Sequence, residues 1–146
     1  MVAVIAIAEK TEIRALTADE GDKLKPLFLA LCKEDDVVGD ADLFTQLLPW
    51  HIPHYRVFVV DADGPIVGFV DALPVATCTA PYLIGMCQYC YVLPSYRCKS
   101  GLLCRAMIRY FQRIGIDRVQ IVAKRTASFW QHHHFQPILL QLERRI

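Results

Sequence analysis

The stretch YVLPSYRCKSGLLCRAM, Tyr91 to Met107, changes character twice. It opens as a β-branched and aromatic strand and stops at Pro94, which has no N–H to give to a ladder. It then passes through a turn carrying Arg97 and Lys99 into a helical pattern. Such a junction gathers unpaired amide N–H groups and the positive end of a helix dipole, an arrangement suited to a phosphate. One turn of this kind is common, so the fold is decided by what flanks it.

Downstream, Leu103, Met107, Tyr110, Phe111 and Ile114 recur on one side at helical spacing, with Arg105, Arg109, Gln112 and Arg113 on the wet side. Gly115 ends that helix as a C-terminal cap. RVQIVAK, 118–124, reads as the next strand, completing a strand-helix-strand unit that is expected to be parallel and right-handed. TASFWQHHHF, 126–135, gives a last short helix, and ILLQLERRI, 138–146, a last strand.

Upstream, the strand ending at Leu93 begins near Met86. Before it, YRVFVVDADGPIVGFVDAL, 55–73, holds two apolar runs around Asp61 to Gly64, and Asp63-Gly64 supplies the positive φ of a tight hairpin turn. EIRAL, Glu12 to Leu16, alternates as a short strand. Thr17 and Glu20 form a capping box for a helix bearing Leu24, Leu27, Phe28 and Leu31, in which Gly21 and Pro26 forecast a late start or a kink. Asp40 or Asp42 caps a second helix with Leu43, Phe44, Leu47 and Leu48, ending near Pro49, and PWHIPH is a loop.

At 146 residues, 54% hydrophobic and 21% charged, the chain reads as a single domain, 1–146, whose sheet has covered faces. A net charge of +1 argues against a nucleic-acid partner. The apolar arm at 1–11, opening MVAVIAIA, is too short to span a bilayer and lacks a basic leader, so neither membrane nor export is expected. It reads as an extra strand or an assembly contact between copies. Six cysteines without an export signal point to reduced thiols in the cytoplasm. Cys87 and Cys90, three apart on a strand, are expected on opposite faces, so no metal site is read there.

With these segments in order, the chain resembles the GNAT superfamily of acyl-CoA-dependent N-acetyltransferases. The resemblance rests on EIRALTADE, on VFVVDADGPIVGFV, on YVLPSYRCKSGLLCRAM as the acyl-CoA segment, and on ASFWQHHHF as the closing aromatic helix. It implies an α+β fold: a mixed sheet flanked by helices on both faces and splayed between the strand ending at Leu93 and the one starting near Arg118. Backbone groups of Tyr91, Val92 and Leu93 would then bind the pantetheine arm of acetyl-CoA, and the amides of Arg97, Cys98, Lys99, Ser100, Gly101 and Leu102 its pyrophosphate. The implied acceptor is an amine, on a small molecule or on a protein N-terminus or lysine.

Two departures bear on chemistry. The family's turn carries two small residues, whereas Ser100 and Leu102 stand there and Gly101 is out of register by one, so either the turn is shortened or the cradle is partly filled. The family's acid on the last helix is a Tyr, and counting back from Phe135 reaches Trp130, whose indole cannot release a proton at neutral pH. His132 and His133 are substitute candidates, though His132 to His134 also read as a solvated, dipole-complementing helix end. The strand before the turn carries no carboxylate base. Tyr89 is a further candidate whose plainer reading is sheet packing, and His51 and His54 are loop residues on the acceptor side. These losses leave a second reading open at this stage: a catalytically inactive GNAT-fold binding protein, such as a phage particle component.

Overall fold

The structure is a computed structural model that describes residues 10–76, 78, 83–121 and 127–137. The N-terminal arm through residue 9, the second half of the strand expected at 118–124, and the strand expected at 138–146 lie outside the described residues.

Strand β1 (Glu12–Leu16) leads into a 3-10 turn (Ala18–Leu24) and helix α1 (Lys25–Glu34). The capping box forms: Thr17 N–H donates to Glu20 Oε1 at 3.2 Å. The helix proper waits until Lys25, with Pro26 in its first turn, where a missing N–H costs nothing. Helix α2 (Ala41–Leu47) is capped by Asp40, whose carboxylate accepts Leu43 N–H at 3.0 Å.

The hairpin pairs β2 (Arg56–Asp61) with β3 (Ile66–Ala76), antiparallel, across a turn in which Asp63 (φ 57°) and Gly64 (φ 120°) are both left-handed. β1 pairs with β2 on one side. β4 (Leu83–Cys87) and β5 (Cys90–Val92) both pair antiparallel with β3, and β4 also pairs in parallel with β6 (Val119–Ile121). Among the described residues this is a six-stranded mixed sheet, ordered β1-β2-β3-β4-β6 with β5 also on β3.

A 3-10 segment (Pro94–Lys99) links β5 to α3 (Ser100–Arg113). α3 ends in a Schellman cap: Gly115, at φ 83°, donates to Gln112 O, and Ile116 N–H reaches back to Phe111 O. α4 (Ala127–His132) follows β6.

Both sheet faces are dry, which is why β2 reads as a nearly unbroken apolar run. Val57 and Val59 face α1 and α2 with Leu24, Leu27, Phe44, Phe69 and Tyr91. Phe58 and Val60 face α3 and α4 with Leu103, Met107, Phe111 and Trp130. Gly85 makes the second contact close: a Cβ there would fall 2.8 Å from the Phe111 ring.

The single strand expected from Met86 to Leu93 is broken into β4 and β5. Between the pairs Leu73↔Met86 and Val70↔Cys90, two residues of β3 face three on the other strand. That extra residue is a β-bulge. It also corrects the expectation for the cysteine pair: Cys87 and Cys90 both pack on the α3 side, because the bulge shifts the alternation by one. All six cysteines are free thiols, and among the described residues no group of three or more His, Cys, Asp or Glu is placed to hold a metal.

Candidate active site

The bulge is organised by a residue that the sequence reading passed over. Asp71, fully buried on β3, turns its carboxylate to the gap in the opposite strand, where Oδ1 accepts both Gln88 N–H at 2.7 Å and Tyr89 N–H at 2.8 Å. Its own N–H donates to Tyr89 O at 3.1 Å, and Tyr55 OH lies 3.4 Å from Oδ2. Burial pushes the Asp71 carboxyl up to about 6 against these bonds, which pull it down. The same burial, with Asp71 beside it, raises the Tyr55 hydroxyl well above its ordinary value. A lone Asp inside an eleven-residue apolar strand was the available signal, since a buried carboxylate must find donors.

Beyond the bulge, Leu93 N–H donates to Val67 O at 2.9 Å. Counting back along the antiparallel register, Tyr91 also faces β3, while the N–H and C=O groups of Cys90 and Val92 point away from it. The parallel pairing of β4 with β6 is described only as far as Cys87↔Ile121, so among the described residues β5 pairs with β3 alone.

At the next segment, Pro94–Lys99 is helical and runs directly into α3, with Ser100 N–H donating to Arg97 O. Arg97 is engaged: its Nη2 donates to both Glu34 carboxylate oxygens at 2.8 and 2.7 Å, and its Nε lies 3.4 Å from Val92 O. Tyr91 OH meets the same carboxylate at 3.1 Å, tying β5 and the turn to the end of α1. Cys98 is exposed, and Lys99 and Ser100 are half-buried. Gly101 sits in the first turn of α3, where an added Cβ would lie 3.4 Å from the His133 ring. Leu102 turns the other way, into a groove of about 930 Å³ shared with Ile13, Phe58, Arg105 and Arg109.

The candidates from the last helix separate. Trp130 is buried against Phe129 and Phe135 in the α3-side core. His132 is exposed. His133 packs tilted against Phe129, with ring centroids 4.6 Å apart, and burial together with His132, Arg105 and His134 lowers its pKa. Tyr89 lies on the opposite face at the bulge, edge-on to Phe44 at 5.0 Å. His51 and His54 are exposed in the turn before β2, where His54 O accepts the Tyr110 hydroxyl at 2.6 Å.

A mixed sheet with a bulged, parting strand that feeds a basic turn and a helix N-terminus matches a known set of structures. A GCN5-related N-acetyltransferase from Ralstonia eutropha superposes with a TM-score of 0.75 at 19% identity, covering 94% of this chain and 99% of that one. The chain has the GNAT fold. An aminoglycoside N-acetyltransferase, AAC(6')-Iy, solved in complex with CoA, matches this GNAT-fold chain with a TM-score of 0.70 at 19% identity over 98% of this chain and 99% of that one. Glucosamine-6-phosphate N-acetyltransferase from Arabidopsis thaliana gives 0.71 at 16% identity, over 94% and 99%. By sequence, the GNAT-fold chain matches no family model and no curated protein.

Proposed function

We propose that the chain is an N-acyltransferase that moves an acetyl group from acetyl-CoA to an amine acceptor, on a small molecule or on a protein N-terminus or lysine. The observation that carries this reading is the outer edge of β5, where Cys90 and Val92 present backbone donors and acceptors away from β3. An amide-rich pantetheine arm suits such an edge, as an added strand would. Beside the start of α3, the half-buried Lys99 supplies a positive charge for the phosphate end. AAC(6')-Iy, a protein of the same fold solved with CoA, supports CoA as the acyl carrier.

When bound, acetyl-CoA supplies an activated thioester: attack by a neutral amine forms the C–N bond as the C–S bond breaks, and the thiolate takes up a proton. The chain's own residues divide the remaining work. The Cys90 amide is the donor nearest the bulge on the open edge, suited to a carbonyl oxygen gaining charge. His133 lies against Gly101, on the turn assigned to the phosphates, and its lowered pKa argues against a proton donor there. Trp130 does neither. Tyr89, the hydroxyl at the bulge, is the candidate donor on the acceptor face. Six free thiols support a reducing setting such as the cytoplasm.

The test is a calorimetric titration with CoA and acetyl-CoA beside a thermal melt. A hundredfold excess over the dissociation constant should stabilise the fold by about 2.7 kcal/mol. A flat titration at millimolar acetyl-CoA overturns the reading, and turnover on a panel of amines completes it.

A further inference from the structure

We propose that Asp71 is a positioning residue for acyl transfer: its carboxylate builds the bulge that aims the Cys90 amide out of the sheet. The inference rests on the acyltransferase reading and adds to it a residue that touches neither reactant.

The geometry leads there in steps. An extra residue in a strand leaves amides without ladder partners, and unpaired buried amides are costly. Here Gln88 and Tyr89 both turn their N–H groups onto one oxygen of Asp71, at 2.7 and 2.8 Å, while Asp71 N–H holds Tyr89 O from the other side. Three bonds to one residue thus fix the bulge. Beyond it the alternation is advanced by one, so Cys90 and Val92, rather than Tyr91, carry the backbone groups that leave β3.

Choosing a carboxylate for this is expensive. Asp71 is fully buried, and no cation is among its described partners: the groups facing it are Tyr55, Cys87, Tyr89 and Cys90. A Ser, Thr or Asn in a strand would avoid that cost. What the charged oxygen adds is strength: both amide bonds it accepts are charge-assisted, shorter and stiffer than a neutral oxygen would make. Rigidity of the strand backbone matters where a fixed donor must meet a developing charge.

The experiment compares the full chain with Asp71→Asn, which keeps the shape, and Asp71→Ala as a harsher control. Amide spectra of the protein alone come first. The Gln88, Tyr89 and Cys90 signals should move together as pH passes through the titration of Asp71, and stay still in Asp71→Asn. Kinetics with acetyl-CoA and an amine come second. Asp71→Asn should lose at least tenfold in kcat above the titration of Asp71 while its dissociation constant for CoA changes less than threefold, and the ratio of the two kcat values should shrink toward one as pH falls through that titration. Unchanged kcat in Asp71→Asn, or a Cys90 amide indifferent to Asp71, overturns the assignment. Absence of CoA binding by the unsubstituted protein overturns the acyltransferase reading and this role with it, and the amide spectra then show separately whether Asp71 builds the bulge.

Discussion

At the residue scale, Asp71 and Glu34 show two opposite uses of a carboxylate. Asp71 is buried and its pKa raised to about 6, above the value near 4 of an unfolded Asp. The fold therefore holds its proton more tightly than the unfolded chain does. Its ionisation carries no penalty below pH 4, a growing one between pH 4 and 6, and a constant one above. Urea titrations should show Asp71→Asn gaining on the unsubstituted protein across that window, by about 3 kcal/mol in all. A constant difference between the two from pH 4 to 7 would mean that Asp71 titrates as an ordinary exposed acid. Glu34 is instead half-exposed and spans Arg97 and Tyr91. Such a pair contributes under about 1 kcal/mol, so Glu34→Ala should barely change the melting temperature. By releasing Arg97 beside the turn, it should tighten CoA binding, read by calorimetry. The sequence signalled only that the lone Asp of an apolar strand needs donors; the partners themselves were not legible, because Asp71 and Glu34 act on groups 17 and 63 residues away.

At the scale of elements, the sequence was more open. Hairpin, caps and the two flanks of α3 depend on neighbours within a few residues, where propensity and periodicity operate. Asp63-Gly64, Asp40 and Gly115 all stand where their backbone chemistry requires. The bulge was hidden for the same reason: a run such as MCQYCYV carries no local sign that one of its residues is extra, since that is set by the opposing strand. Gly115→Ala should destabilise the fold by about 1 kcal/mol, because its φ of 83° disfavours any Cβ, and chemical denaturation would measure it. Gly101→Ala makes a contrasting case. Its backbone is helical and a Cβ meets His133 at an ordinary 3.4 Å, so the substitution should stabilise α3 by up to about 1 kcal/mol. If the phosphates lie on that turn, the same change should weaken CoA binding. Gain of stability with unaltered CoA affinity would move the phosphates elsewhere.

At the scale of the whole molecule, the sheet is a partition with a separate apolar layer on each side, one under α1 and α2 and one under α3 and α4. The α+β class implied by the resemblance is present, and the order of elements through α4 followed from reading one segment after another, as did two adjacencies, the β2–β3 hairpin and the parallel pair flanking α3. The pairing of β1 with β2 and of β4 and β5 with β3 did not follow, since it is set by closure over long separations. That pairing converges on β3. Among the described strands it is the one that touches all of β2, β4 and β5, and it supplies Asp71 at the parting of the strands. No other described strand has so many of its backbone groups taken by neighbours that must leave first. In time rather than space, β3 is therefore the last part of the molecule to meet solvent. Its amides from Val67 to Leu73 should exchange with deuterium only through global unfolding, long after β1, at the margin of the described sheet, has exchanged by local fraying.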